Sequence, residues 1–163
     1  MRKFIFTLIF VLSIISVKAQ TSNSYDQVKE LTQRVVSLEH ELSYMKLSYE
    51  LYTLNTDITM FADEVYTKSI AIQLDIYNRN FNSRLYEAYL RYYDSCKGKK
   101  DSFSELIEAK KTFFAVKIFT YQYSDKELNT LFASYNVINN AFENLESSMD
   151  MLKITLDAYR ELM

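Results

Sequence analysis

His40 and Cys96 are the only histidine and the only cysteine in 163 residues. Metal, haem or nucleophilic chemistry that needs an imidazole or a thiol must therefore use these two residues. Carboxylate-bridged di-iron bundles turn two Glu-x-x-His pairs inward. Here there is one histidine, and the residue three before it is Ser37. A c-type haem needs Cys-x-x-Cys-His, which is absent. A Met–His haem pocket needs an inward histidine, whereas His40, between Glu39 and Glu41, falls on the outer f position of a heptad pattern. The residues thus point to a solvated His40, with neither a metal nor a cofactor.

Cys96 and His40 make a nucleophile–base pair only if the fold brings them together, and no third group is placed to orient them. A lone cysteine closes no intrachain disulfide. In an oxidising compartment it is buried and inert, or it pairs with a second chain. Lys97, Lys99 and Lys100 would lower its pKa if it were exposed; the inert reading is preferred. Asp63/Glu64, Glu105/Glu108 and Glu143/Glu146 read as solvated helix faces rather than acid–base pairs. One glycine, Gly98, excludes a glycine-rich phosphate cradle. The expectation is a protein that is not an enzyme.

Fourteen tyrosines and eleven phenylalanines stand without a tryptophan. At helical spacing Tyr86, Tyr89 and Tyr93 share one face, and Tyr77, Phe81, Leu85, Ala88 and Tyr92 the adjacent one. Tyrosine combines ring area with a polar tip, so this is either a surface for a protein, peptide or sugar, or a wide buried face with hydroxyls at its rim.

The elements that position these residues follow from punctuation. With one glycine and no proline, the chain lacks the strongest breakers of regular structure. Ser or Thr followed three residues later by Glu or Gln, the capping box that opens a helix, occurs at Ser24/Gln27, Ser102/Glu105 and Ser124/Glu127. A first helix carries Val28, Leu31, Val35, Leu38, Leu42, Met45, Tyr49 and Tyr52, alternating spacings of three and four as a heptad seam does. A break is expected at 53–57, although Tyr44, Leu47, Leu51, Leu54, Ile58, Phe61 and Val65 keep helical spacing through it. A second helix then ends near Cys96 with Gly98 as its left-handed stop, and Asn78, Asn80 and Asn82 weaken its middle. A third follows Ser102. A fourth follows Ser124, with the seam Leu128, Leu131, Tyr135, Ile138, Phe142, Leu145, Met149, Leu152, Leu156 and Tyr159.

The fold class expected is all-α: an elongated up-and-down bundle of about four unequal helices with coiled-coil character. At 1.5 Å per residue the four segments would span roughly 43, 61, 31 and 57 Å. The last would overrun the third and expose Met149, Leu152, Leu156 and Tyr159 as a seam in need of a partner. With Tyr86, Tyr89 and Tyr93, these residues make up the expected interaction surface. The first helix offers a second candidate. With Val28 as a, Arg34 (g) meets Glu39 (e′) and Glu41 (g) meets Lys46 (e′) in a parallel pair, both opposite in sign. Two exposed pairs contribute little, and the preferred reading is that this seam fills the bundle's own core, with pairing to a second chain as the alternative.

Met1-Arg2-Lys3, the apolar run Phe4 to Val17 and Val17-Lys18-Ala19 have the three parts of a secretory signal peptide of the bacterial Sec type, cut after Ala19. Residues 1–19 are thus read as a cleaved leader and 20–163 as a single helical-bundle domain with no membrane anchor after cleavage. The 19 basic and 21 acidic residues become 16 and 21, because Arg2, Lys3 and Lys18 leave with no acid, so the net charge moves from −2 to about −5. An acidic chain is a poor partner for nucleic acid. The function expected is an exported, non-catalytic helical protein, periplasmic or extracellular, acting through contact with a protein partner or with itself as a homo-oligomer. A periplasmic holdase-type chaperone is the alternative; a cofactor-binding or enzymatic bundle has the least support.

Overall fold

The structure, a computed structural model, describes residues 22–163; the expected leader, residues 1–19, lies outside the described residues. The described chain is all-α, with three helices and no strand: α1 is Ser22–Tyr77, α2 is Ser83–Tyr121 and α3 is Asp125–Leu162. Three helices replace the four expected, and each boundary has a local cause.

The expected break at 53–57 does not occur. Thr53 and Thr56 turn their hydroxyls back onto the carbonyls of Tyr49 and Tyr52, at 2.9 and 3.0 Å. This back-bonding satisfies polar side chains inside a helix. Leu51, Leu54, Ile58 and Phe61 are buried through the same stretch, so tertiary packing outweighs the weak local propensity.

The chain turns instead at 78–82. Asn80 N–H donates to Asp75 O at 2.9 Å and Arg79 N–H to Ile76 O at 3.0 Å. These are the two bonds of a Schellman stop. Its left-handed position, usually glycine, is held by Arg79 at φ 56°. Asn82 then caps α2, accepting from Arg84 N–H at 2.9 Å and Leu85 N–H at 3.4 Å. The three asparagines expected to weaken a helix thus flank and form its boundary.

Gly98 and Ser102 do not separate two helices. Both lie inside α2, and the Ser102 hydroxyl donates to Gly98 O at 3.0 Å. Tyr89, Cys96, Phe103, Ile107 and Phe114 form one buried stripe through this region. Ser24 also lies within a helix, two residues beyond the first residue of α1. Of Ser102 and Ser124, Ser124 caps as expected: its side chain meets Glu127 N–H, and the Glu127 carboxylate takes Ser124 N–H at 2.8 Å.

Contacts divide the chain between Met45 and Lys46. In the Lys46–Met163 unit, α1 contributes Leu47, Leu51, Ile58, Val65 and Ile72 to the core. α2 adds Cys96, Phe103 and Ile107, and α3 adds Leu131, Ile138, Leu145 and Leu152. Glu50 and Lys110 form a half-buried ion pair at 2.6 Å between α1 and α2. In the unit that ends at Met45, the described part is the single α1 segment from Ser22.

Candidate interaction surface

Tyr159 organises one end of the Lys46–Met163 unit. Its ring is fully buried. Its hydroxyl donates to Asn80 O at 2.7 Å and accepts from Asn82 N–H at 2.9 Å. One phenol therefore satisfies two backbone groups of the turn between α1 and α2 and ties them to α3. Around it, Phe81 and Tyr89 sit edge-on at 5.5 and 5.9 Å and Tyr86 lies parallel at 6.0 Å. Edge-on and stacked rings at such distances contribute beyond their buried area.

This geometry reassigns most of the expected surface. Tyr89, Met149, Leu152, Leu156 and Tyr159 are buried, and Tyr86 is half-buried against Tyr159. Tyr93 is half-exposed, with the Lys97 ammonium 5.0 Å from its ring. The overrunning seam is corrected for a simple reason. α2 starts at Ser83 and has 39 residues against 38 in α3, so α3 has no unmatched end to expose.

The chemistry-bearing groups are likewise committed to structure. The Tyr89 hydroxyl donates to Asp75; burial, then the Asp75 carboxylate, pushes its pKa well above the ordinary tyrosine value. Burial also raises Tyr92, with further contributions from Cys96 and from Glu64, to which Tyr92 donates at 3.1 Å. Cys96 is buried, and burial pushes its thiol up against the opposing effects of Tyr92 and Lys99. The lysines beside it therefore do not activate it. His40 is half-buried on α1. Among the described residues, no group of three or more His, Cys, Asp or Glu side chains could hold a metal ion, and no helix is long and apolar enough to cross a membrane. An open groove is lined by Met60, Asp63, Glu64, Thr67, Lys68 and Tyr92. Lys68 in it sits 5.0 Å from the Tyr89 ring and 5.7 Å from that of Tyr92.

Exposed apolar side chains occur on all three helices, among them Leu106 and Val116 of α2 and Ile154 of α3, and α1 carries the most of them. In the unit that ends at Met45, Leu31 is 41% exposed, Leu38 62%, Leu42 68% and Met45 66%. Val28 and Val35, in the same heptad pattern, are half-buried. Four residues of the heptad pattern, Leu31, Leu38, Leu42 and Met45, are thus exposed. Within the Lys46–Met163 unit, Tyr49, Tyr52, Met60, Ile70 and Leu74 of α1 are exposed as well. They lie about half a turn from the buried Leu51, Ile58, Val65 and Ile72. That stretch is apolar on two faces, and the bundle uses one. Sequence periodicity displayed both faces without ranking them; the signal it offered was the crowding of helical residues by two interleaved apolar stripes. No family model matches this chain, and comparison with the curated proteins and with the solved structures gives no match.

Proposed function

We propose that this chain is an exported, non-catalytic helical protein that works by protein–protein contact, with the apolar seam of α1 as its contact surface. The observation that carries this reading is the exposure of Leu31, Leu38, Leu42 and Met45 at a and d positions of one heptad pattern, in which Val28 and Val35 are half-buried. Single exposed apolar residues are ordinary, but an aligned row of them marks a site of association. A seam of this spacing is suited to coiled-coil pairing with another helix. The commitment of Cys96, Tyr89 and Tyr159 to burial and internal hydrogen bonds supports a non-catalytic role. The three-part leader supports export to the periplasm or beyond.

The test is a photoreactive amino acid at position 38, with exposed Glu105 on α2 as the control site, in the cells that make the protein. A polypeptide adduct from position 38 that is missing from position 105 is the expected result. Absence of any polypeptide adduct along the seam overturns the reading. Export is checked by the N-terminus of the protein recovered outside the cytoplasm: Gln20 is expected, and retention of residues 1–19 inside the cell refutes it.

A further inference from the structure

We propose that the α1 seam from Val28 to Met45 pairs with the same segment of a second copy of this chain, as a parallel, in-register, two-stranded coiled coil. The proposal rests on the contact reading above and names its partner.

Three features select this occupant. The first is the composition of the seam. The a positions are Val28, Val35 and Leu42, and the d positions are Leu31, Leu38 and Met45. β-Branched residues at a with leucine at d favour two parallel strands, and the first two heptads follow that rule. The second is charge. In register, Arg34 faces Glu39 of the second copy and Glu41 faces its Lys46, and twofold symmetry repeats both pairs. A slip of one heptad would set Arg34 against Lys46 and Glu39 against Glu41, so the register that matches is the one without a slip. The third is availability. Arg34 keeps 71% of its side chain exposed while bridging Glu30 at 2.8 Å, and Lys46 keeps 58% while 3.9 Å from Glu50. These are bridges within one helix at the surface, which hold their partners weakly and exchange them readily.

The test uses protein expressed from the full-length chain and purified as the cell delivers it. Sedimentation equilibrium is expected to give a concentration-dependent dimer. Glu41→Lys or Lys46→Glu alone should weaken the dimer by about tenfold, because each places like charges at two symmetry-related sites. The double swap should restore it to within about threefold of the parent. Leu42→Cys should oxidise to a dimer linked 42 to 42, whereas Gln33→Cys, on the outer f position, should not. Circular dichroism of each variant confirms that helix content is kept.

A monomer at all concentrations overturns the proposal. So does a dimer without the 42–42 link, or one that ignores the charge swap. An adduct from position 38 to a different polypeptide, with no self-association, also overturns it while leaving the contact reading standing. Absence of any adduct removes both.

Discussion

Gly98 sits in the middle of α2, and a methyl group on its α-carbon would meet no atom within 4 Å. Its φ is not positive. Nothing in the fold requires a glycine there, so Gly98→Ala should raise stability by about 1 kcal/mol, the difference in helix propensity; urea denaturation would read it as a higher midpoint at constant slope. The positions that do need glycine lack it. Arg79 and Gln122 hold left-handed backbones at φ 56° and 47°. Arg79→Gly removes a steric cost of roughly 1–2 kcal/mol and adds back part of it as chain entropy. A net gain on the order of 0.5–1 kcal/mol is expected, whereas Arg79→Val should destabilise. Tyr89, Tyr92 and Cys96 contribute to the response to alkali. All three have folded pKa values raised mainly by burial, so above the unfolded values the unfolded chain binds fewer protons than the folded one. Linkage then makes stability fall as pH rises. The full contribution is present below the ordinary thiol value, about 8.5, and the steeper loss starts near the ordinary tyrosine value, about 10. Urea midpoints from pH 8 to 11 should decline, and Tyr89→Phe should flatten the upper part of the curve.

At the scale of elements, one motif has opposite meanings at two sites. Ser124 caps α3 through a complete box with Glu127, whereas Ser102, followed by Glu105 at the same spacing, bonds back to Gly98 inside α2. Ser124→Ala should therefore cost about 1 kcal/mol, and Ser102→Ala should cost nothing or stabilise slightly, since alanine is the better helix former. Thermal melts of the two variants separate the roles directly. The same pair explains what the sequence could display. The seam of α3 was legible because Leu131, Ile138, Leu145, Leu152 and Tyr159 have one periodicity and one true cap before them. The boundary between α1 and α2 was not. Its stop is built on Arg79 rather than glycine, and its cap is Asn82 with Leu85, not an acid or amide, at the third helical position. The asparagines marked a weak stretch, but without a glycine stop or a capping box the boundary rules gave no clear start or stop there. Conversely, the spacing of seven from Tyr89 to Cys96 to Phe103 kept α2 whole through Gly98. Burial of that stripe outweighs one glycine, which costs only about 1 kcal/mol. The Tyr86–Tyr89–Tyr159 cluster was visible as aromatic excess but not as a cluster, because Tyr159 is distant in sequence and meets the others only when α3 packs against the turn.

At the scale of the molecule, the core and the proposed contact seam are made of different residues, and that separation can be measured. The Lys46–Met163 unit has its own core, in which Leu152 and Leu156 are buried. The exposed seam residues Leu38 and Leu42 belong to the unit that ends at Met45. A carboxylate at Leu152 would lie in the core without a partner, so Leu152→Asp should cost several kcal/mol, about 3 or more, and unfold the unit. Leu38→Asp combined with Leu42→Asp adds charge where water already reaches. It should change the unfolding free energy of the monomer by no more than about 0.5 kcal/mol, yet abolish association, because each charge would have to enter an apolar layer between two strands. The decisive comparison is urea unfolding at low micromolar protein set beside sedimentation at high concentration for the same variant. A surface that serves only contact gives unchanged monomer stability with association lost. If the double variant unfolds with the core variant, the seam is part of the fold's own support, and its exposed leucines need no second chain to explain them.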